Sequence, residues 1–298
     1  VTTDALESRL GPARERYFGD GFRQTEQWLE DVVVEQSDGG VLVEASVRLR
    51  QWRREGVARV AHLGTIDAIA VAASLGSIAL IASGCAAAGG EVPVSGVTVR
   101  AGGRPELAQT GISATARLAR PASTASAEVI CRIGTLKVSV SFMLPARPVS
   151  SPVLSGVVDP DALLGPRADR YFADGYRHRR LMADSLVVSE GTAACTFLAD
   201  PPEADLGIVE CLALTSQLAQ VALYSAANVA REGTGNLWMR MCEFTATNRE
   251  TRGGHAQLTV FRTKRMMVGS ADVVSSHVRI DAFPGWTGTA ALAFEVLH

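Results

Sequence analysis

The hydrophobic pattern changes period several times along this 298-residue chain, and it runs through the same series twice. Glu30–Val34 is a valine-rich run that reads as a strand, Val41–Leu49 largely alternates apolar and polar residues, the period-two signature of a returning strand, and Ser37-Asp38-Gly39-Gly40 between them is a tight-turn sequence. From about Thr65 to Ser83 the alternation gives way to a nearly continuous run of Ala, Ile, Leu, Val, Gly and Ser, which predicts a helix enclosed on every side. Strands are expected next near Val94–Arg100, Gly111–Leu118 and Ala127–Leu144. The series then restarts with a hairpin from Ala183–Val188 to Thr192–Leu198 and an apolar helix over about Gly207–Arg231. Strands near Leu237–Ala246, Ala256–Arg265 and Val273–Ile280 follow it.

The residues themselves repeat as well as the pattern. Gly11-Pro12-Ala13-Arg14-Glu15-Arg16-Tyr17-Phe18-Gly19-Asp20-Gly21-Phe22-Arg23 returns as Gly165-Pro166-Arg167-Ala168-Asp169-Arg170-Tyr171-Phe172-Ala173-Asp174-Gly175-Tyr176-Arg177, at an offset of 154 (165 − 11), with eight of thirteen positions identical. Further on, His62-Leu63-Gly64-Thr65-Ile66-Asp67 aligns with Asp205-Leu206-Gly207-Ile208-Val209-Glu210 at an offset of 143 (210 − 67). Between the copies, Pro145, Pro148, Pro152 and Pro160 stand among serines and small residues, the composition of a stiff linker. The expected organisation is an N-terminal module over 1–147, a linker over 148–160 and a C-terminal module over 161–298. A sheet with one apolar face and an apolar helix each need a cover, and wrapping the sheet around the helix covers both. The expected fold class is therefore α+β, a double hot-dog of two tandem modules.

Composition narrows the classes of function. A net charge of −2 leaves no polycationic field for nucleic acid or anionic lipid. The stretch from Ala68 to Gly90 carries no charge and is long enough for a membrane span. Its Ala, Gly and Ser content, with no aromatic anchors and no basic flanks, favours a core helix instead. Cys85, Cys131, Cys195, Cys211 and Cys242 are odd in number and show no C-x-x-C spacing, so neither a disulfide framework nor a zinc site is indicated. His255 and His277 stand alone, without ligand spacing, and no metal is expected. With no basic-then-apolar leader at the N-terminus, a reduced, cytoplasmic protein is expected.

Candidate chemistry centres on the two helix starts. A helix N-terminus presents unpaired N–H groups and roughly half a positive charge, suited to an oxygen gaining negative charge. Gly64 and Gly207 precede the helices and leave room for a substrate against the backbone. Three residues on, Asp67 and Glu210 each supply a carboxylate, a candidate general base or acid, or else a helix-start acid that only complements the dipole. His62 precedes the first carboxylate and is a candidate proton shuttle, while the second copy has Asp205 there. Arg23 and Arg177 are candidates for holding the phosphate of a carrier-bound thioester, with pairing to Asp20 and Asp174 as the alternative. Cys211, beside Glu210, has no evident base, and packing is its expected role.

Two resemblances follow from these residues. Asp205-Leu206-Gly207-Ile208-Val209-Glu210-Cys211-Leu212-Ala213 resembles the helix-opening segment of hot-dog hydroxyacyl-thioester dehydratases, although Thr196–Glu203 lacks the histidine that those enzymes carry ahead of the acid. Across nearly the whole chain, Gly11-Pro12, Arg16 to Phe22, Trp52 and His62-Leu63-Gly64-Thr65-Ile66-Asp67-Ala68 resemble the avirulence protein D (AvrD) family. That resemblance implies the chemistry of syringolide-type acyl sugars, in which a β-ketoacyl thioester is joined to a pentulose such as xylulose or its phosphate, with later cyclisation to a butenolide-type product. A-factor synthases, which are similar in concept, join a β-ketoacyl carrier to a small keto-alcohol phosphate. No cofactor is implied beyond the acyl carrier protein or CoA that bears the acyl group, and the partners implied are the two small substrates, with an acyl carrier protein and a second copy of this chain left open. A dehydratase or thioesterase, and a non-catalytic acyl-binding module, stand as the alternatives.

Overall fold

The computed structural model describes residues 4–50, 52, 62–102, 106–107, 110–119, 125–145, 154–202, 206–247 and 252–297. Contacts divide these into two compact units that do not follow chain order. One contains the described residues within Arg23–Arg53 and Ala58–His178; the other contains those within Val1–Phe22 and Arg179–His298. This grouping differs from the sequential division at 148–160 because each copy of the Gly-Pro…Tyr-Phe motif falls in the unit that holds the other copy's helix. Positions 148–153 of the expected linker lie outside the described residues.

In the first unit the strands are β1 (Glu26–Ser37), β2 (Gly40–Arg50), β3 (Val94–Arg100), β4 (Ile112–Ala119), β5 (Ser126–Ile133), β6 (Leu136–Met143) and β7 (Gly156–Val157). They lie side by side in the order β7-β1-β2-β4-β5-β6-β3. The helices are α2 (Thr65–Ala82) and the short α3 (Pro160–Leu164), α1 belonging to the other unit. Burial alternates strictly along β5, where Ala127, Val129, Cys131 and Ile133 face inward. The face they share with neighbouring strands packs on α2, which touches β1 through β6. Every α2 residue from Ile66 to Ala82 is buried. Small side chains make that close wrapping feasible: a Cβ added at Gly76 would sit 2.5 Å from the ring of Phe142.

The second unit repeats this design. It contains α1 (Asp4–Leu10), β8 (Arg180–Ser189), β9 (Thr192–Asp200), α4 (Ile208–Ala227), β10 (Thr234–Ala246), β11 (Gly253–Val268), β12 (Ala271–Ala282) and β13 (Trp286–Val296). Its strand order, β10-β13-β12-β11-β9-β8, is that of β3-β6-β5-β4-β2-β1. The helix α4 touches β8, β9, β11 and β12 and ends at Asn228, whose left-handed backbone (φ 52°) closes the last turn. All strand pairs described within each unit are antiparallel.

The repeat is visible in backbone detail. β1 bulges between Glu30 and Val33, and β8 bulges between Asp184 and Val187. Within these bulges Asp31 and Ser185, 154 residues apart, each have φ 52°. Tyr17 and Phe18 pack edge to face at 5.1 Å, as do Tyr171 and Phe172 at 4.7 Å.

Two expectations need correction. The strand expected over Ala127–Leu144 is two strands, β5 and β6, joined by a turn at Gly134 (φ 52°) and Thr135, so four strands rather than three follow α2. The turn is tight enough that the apolar alternation resumes almost at once. In the second half β13 lies beyond the last expected strand, because Gly288 and Ala290 on its inner face and Ala291 and Ala293 on the other leave a weak period-two contrast. Both α2 and α4 are long and apolar enough to cross a membrane, yet 94% and 83% of their apolar windows are buried inside the protein, as in core helices.

Candidate active site

The backbone at the start of α2 brings one of the candidate carboxylates under tight control. Asp67 sits at the third helical position, where its Oδ2 accepts the N–H of Gly64 at 3.0 Å. This is the carboxylate half of a capping box; a glycine has no side chain to supply the other half. Its Oδ1 accepts from the Gln27 side-chain amide at 2.7 Å. The same amide nitrogen donates to the Tyr176 hydroxyl at 3.0 Å. Gln27 comes from β1, and Tyr176 from the 3-10 turn Gly175–His178. Tyr176, Asp67 and Gln27 are 0%, 1% and 6% exposed, so the chain Asp67–Gln27–Tyr176 is a desolvated polar network in an apolar surround. Burial, and then the charge of Asp67, hold the Tyr176 phenol above its usual range against the opposing hydrogen bond from Gln27 and the charge of Arg177. The hydroxyl is therefore a neutral hydrogen-bonding group through neutral pH.

A cavity of about 170 Å³ lies against Gln27. It is walled by Trp28 beside Gln27, by Ser74 on α2, and by Arg167, Arg170 and Phe172 of the second motif copy. Asp67 is not in the wall; Gln27 belongs to both the wall and the network. Arg167 donates to the Gln27 carbonyl at 2.7 Å and to Asp174 at 3.2 Å, and its guanidinium stands 5.6 Å from the centre of the Trp28 ring. Arg170, 5% exposed, pairs with Asp161 at 2.6 Å. Behind Phe172, Glu91 accepts the Phe172 N–H at 3.0 Å. Burial raises the Glu91 carboxyl above the usual range, against the Phe172 N–H, Arg170 and the Tyr171 N–H.

At the start of α4 the same cap recurs, with Glu210 accepting the Gly207 N–H at 2.8 Å and remaining 4% exposed. The surroundings differ. The repeat partners of Gln27 and Tyr176 are Leu181 and Phe22, both buried and both apolar. At the tenth residue of each helix, α4 has Gln217 where α2 has Ser74. The Gln217 carboxamide accepts from Arg16, in a short hydrogen bond, and donates to the Phe18 carbonyl at 2.9 Å. Desolvation and the neighbouring Arg231, opposed by Glu7 and Asp20, lower the Arg16 guanidinium to about 10.

His62 is exposed on the loop before α2, whereas Asp67 is enclosed. Arg23 is half-buried. Arg177 donates to the Thr25 carbonyl at 2.7 Å and to Asp174 at 3.1 Å, and lies 3.4 Å from Glu26, which is the pairing alternative for this side chain. Gly64 and Gly207 have φ −81° and −90°, backbone open to any residue, so dihedral strain does not demand glycine at either place. Burial, then Glu210 and Cys242, raise the Cys211 thiol well above its ordinary range, which fits packing. Among the described residues no cluster of three His, Cys, Asp or Glu side chains is placed to hold a metal. Sequence reasoning missed Gln27, Ser74, Arg170 and Tyr176. The signal was present in the repeat itself, as polar residues standing where the other copy is apolar: Gln27 against Leu181 and Tyr176 against Phe22.

A strand-rich protein with a buried carboxylate opening each of two enclosed helices is the class that this geometry defines. The chain belongs to the Pseudomonas avirulence D protein (AvrD) family, which matches residues 1–296. No curated protein matches its sequence. Among solved structures it is similar to a conserved protein of unknown function with the hot dog fold from Alicyclobacillus acidocaldarius, at 10% identity over 95% of this chain and 99% of that one, with a TM-score of 0.45. It is also similar to an acyl-ACP thioesterase from Bacteroides thetaiotaomicron, at 10% identity over 90% and 96%, TM-score 0.40. A third similar structure is the bifunctional dehydratase-cyclase domain in ambruticin biosynthesis, at 14% identity over 91% and 95%, TM-score 0.39.

Proposed function

We propose that this protein is a double hot-dog enzyme that condenses a β-ketoacyl thioester with a pentulose, xylulose or its phosphate, to give an acyl sugar that cyclises to a butenolide-type product. Membership of the AvrD family supports the reaction class. The single observation that carries the assignment of a site is that Asp67, almost fully buried, shares Gln27 with the wall of a polar cavity. In this reading the Gln27 side chain, which separates Asp67 from the cavity, turns aside when substrate binds, and Asp67 takes the proton from the sugar hydroxyl as its oxygen attacks the thioester carbonyl. The carbon–sulfur bond breaks, and the thiol of the carrier leaves with a proton. The N–H groups at the start of α2 face the developing oxyanion, where preorganised donors contribute most. The acyl group arrives on acyl carrier protein or CoA, in the cytoplasm, and no redox or metal step enters. Arg23 and His62 are proposed to assist at the substrate's carrier end and in proton exchange with solvent.

The test is incubation of the purified chain with a β-ketoacyl thioester and xylulose, or xylulose phosphate, with mass-spectrometric detection of the coupled product. Coupled product supports the condensing reading. Thiol release or an enoyl product without sugar supports a thioesterase or dehydratase instead.

A second reading has its own observation. Both carboxylates accept the N–H of the glycine that opens their helix, as a capping side chain does. If capping is their whole role, the protein is an acyl-ligand-binding module, and binding without turnover across a panel of thioesters is the expected result.

A further inference from the structure

The two units place different groups at equivalent points, and one of them supplies the chemistry that the other leaves open. Arg16 and Arg170, like Phe18 and Phe172, are related by the offset of 154, and Gln217 and Ser74 by the offset of 143. Beside α4 the Gln217 carboxamide fills the space next to Arg16: its oxygen accepts from the guanidinium and its nitrogen donates to the Phe18 carbonyl. Beside α2 the much shorter Ser74 leaves the corresponding residues, Ser74, Arg170 and Phe172, around the 170 Å³ cavity. The Nε of Arg170 is buried and has no hydrogen-bond partner among the described residues.

We propose that this cavity binds a neutral group in which a carbonyl oxygen lies next to an N–H or O–H, a carboxamide or an α-hydroxyketone, and that Gln217 closes the matching place beside α4 with the chain's own carboxamide. The chain then has one such site rather than two. Charge balance selects a neutral group. Arg170 is answered by Asp161 and Arg167 by Asp174, and Asp159 adds a carboxylate to the wall, so the cavity holds no surplus of positive charge for an anion. Size selects a small group. The volume is below the roughly 300 Å³ at which sites for drug-sized ligands begin, too little for a long acyl chain together with its carrier arm. Two sources present this chemistry in the proposed reaction: the amides of a pantetheine arm and the hydroxyketone of a ketose. The choice of these probes rests on the reading given above; the site itself does not.

Binding is measured by titrating isotope-labelled protein with pantetheine and, separately, with xylulose, following the Trp28 indole N–H identified by comparison with Trp28→Phe. At least one probe is expected to shift that resonance at one equivalent per chain. A response to pantetheine alone assigns the cavity to the thioester arm, and a response to xylulose alone assigns it to the sugar; a response to both supports the shared chemistry. Ser74→Gln is expected to weaken binding at least tenfold, and Gln217→Ser, followed by equilibrium dialysis because Trp28 reports the α2 cavity alone, to raise the stoichiometry from one to two. If Ser74→Gln does not fold, the gain of a second equivalent in Gln217→Ser still decides the matter. Saturation of Ser74→Gln at the parent's concentrations, or no response of the parent to either probe at millimolar levels, overturns the proposal. Binding without product formation would count against the condensing reading and leave the site standing.

Discussion

The α2 unit and the α4 unit share strand order, bulges, aromatic pairs and helix caps, and they part company at a handful of side chains. Around α2 the carboxylate of Asp67 is linked through Gln27 to Tyr176. At the same repeat positions the α4 unit has Glu210, Leu181 and Phe22. Where Ser74 leaves a cavity beside Arg170, Gln217 occupies the space beside Arg16. A duplicated fold needs its packing in both copies, so packing residues match. A buried polar network costs desolvation wherever it is built, and the two helices carry different ones: Asp67–Gln27–Tyr176 at α2 and Arg16–Gln217 at α4. The difference between the copies thus points to function more sharply than their likeness does.

The largest effect on the contrast between the two units is expected at Gln27. Replacing it with leucine, the residue of the other copy, removes the hydrogen bonds to Asp67 and Tyr176. A loss of about 3 kcal/mol of stability is expected in denaturant unfolding, as for buried polar groups deprived of a partner, one of them charged. The converse change, Leu181→Gln, places an amide in an apolar position and is expected to destabilise as well; a neutral result there would mean that the α4 unit already offers a partner. Gly76→Ala copies Ala219 at the matching position of α4, but its Cβ meets the Phe142 ring at 2.5 Å. Overpacking of about 1–3 kcal/mol is expected by the same measurement.

Tyr176→Phe copies Phe22 and removes one hydroxyl. About 1 kcal/mol of stability is expected to go, with the fold retained. The smallest effect is a change of slope. Glu91 has a folded-state pKa above its unfolded one, so the native state holds the proton more tightly. Its contribution to stability is then full below the ordinary carboxylate pKa and is lost as pH rises through the folded-state value. Glu91→Gln is expected to flatten that part of the stability profile, and an unchanged slope would show that Glu91 is solvated in the native protein.

Most of the architecture was legible because it rests on local periodicity. Both hairpins, both enclosed helices and the carboxylates at their third positions follow from patterns a few residues long. The β5–β6 turn was lost because two residues barely interrupt an alternation, and β13 because alanines carry little hydrophobic contrast. The polar network was invisible for a different reason. Gln27, Asp67 and Tyr176 are separated by up to 149 residues, and no helical or strand period connects them. The motif copies also pack in the unit opposite to their own half, so Arg170 and Tyr176 meet the helix of the first repeat rather than the second. Only a position-by-position contrast between the copies carries a trace of this, in Gln27 against Leu181 and Tyr176 against Phe22.

If the α2 unit holds the working carboxylate, product formation from β-ketoacyl thioester and xylulose separates Asp67→Asn from Glu210→Gln, each checked for retained folding. Asp67→Asn keeps the side chain's size and removes its basicity, so a rate loss of about 10²–10⁴ is expected, while Glu210→Gln stays within a few-fold of the parent. Undiminished turnover by Asp67→Asn, or a larger loss in Glu210→Gln, would contradict the account.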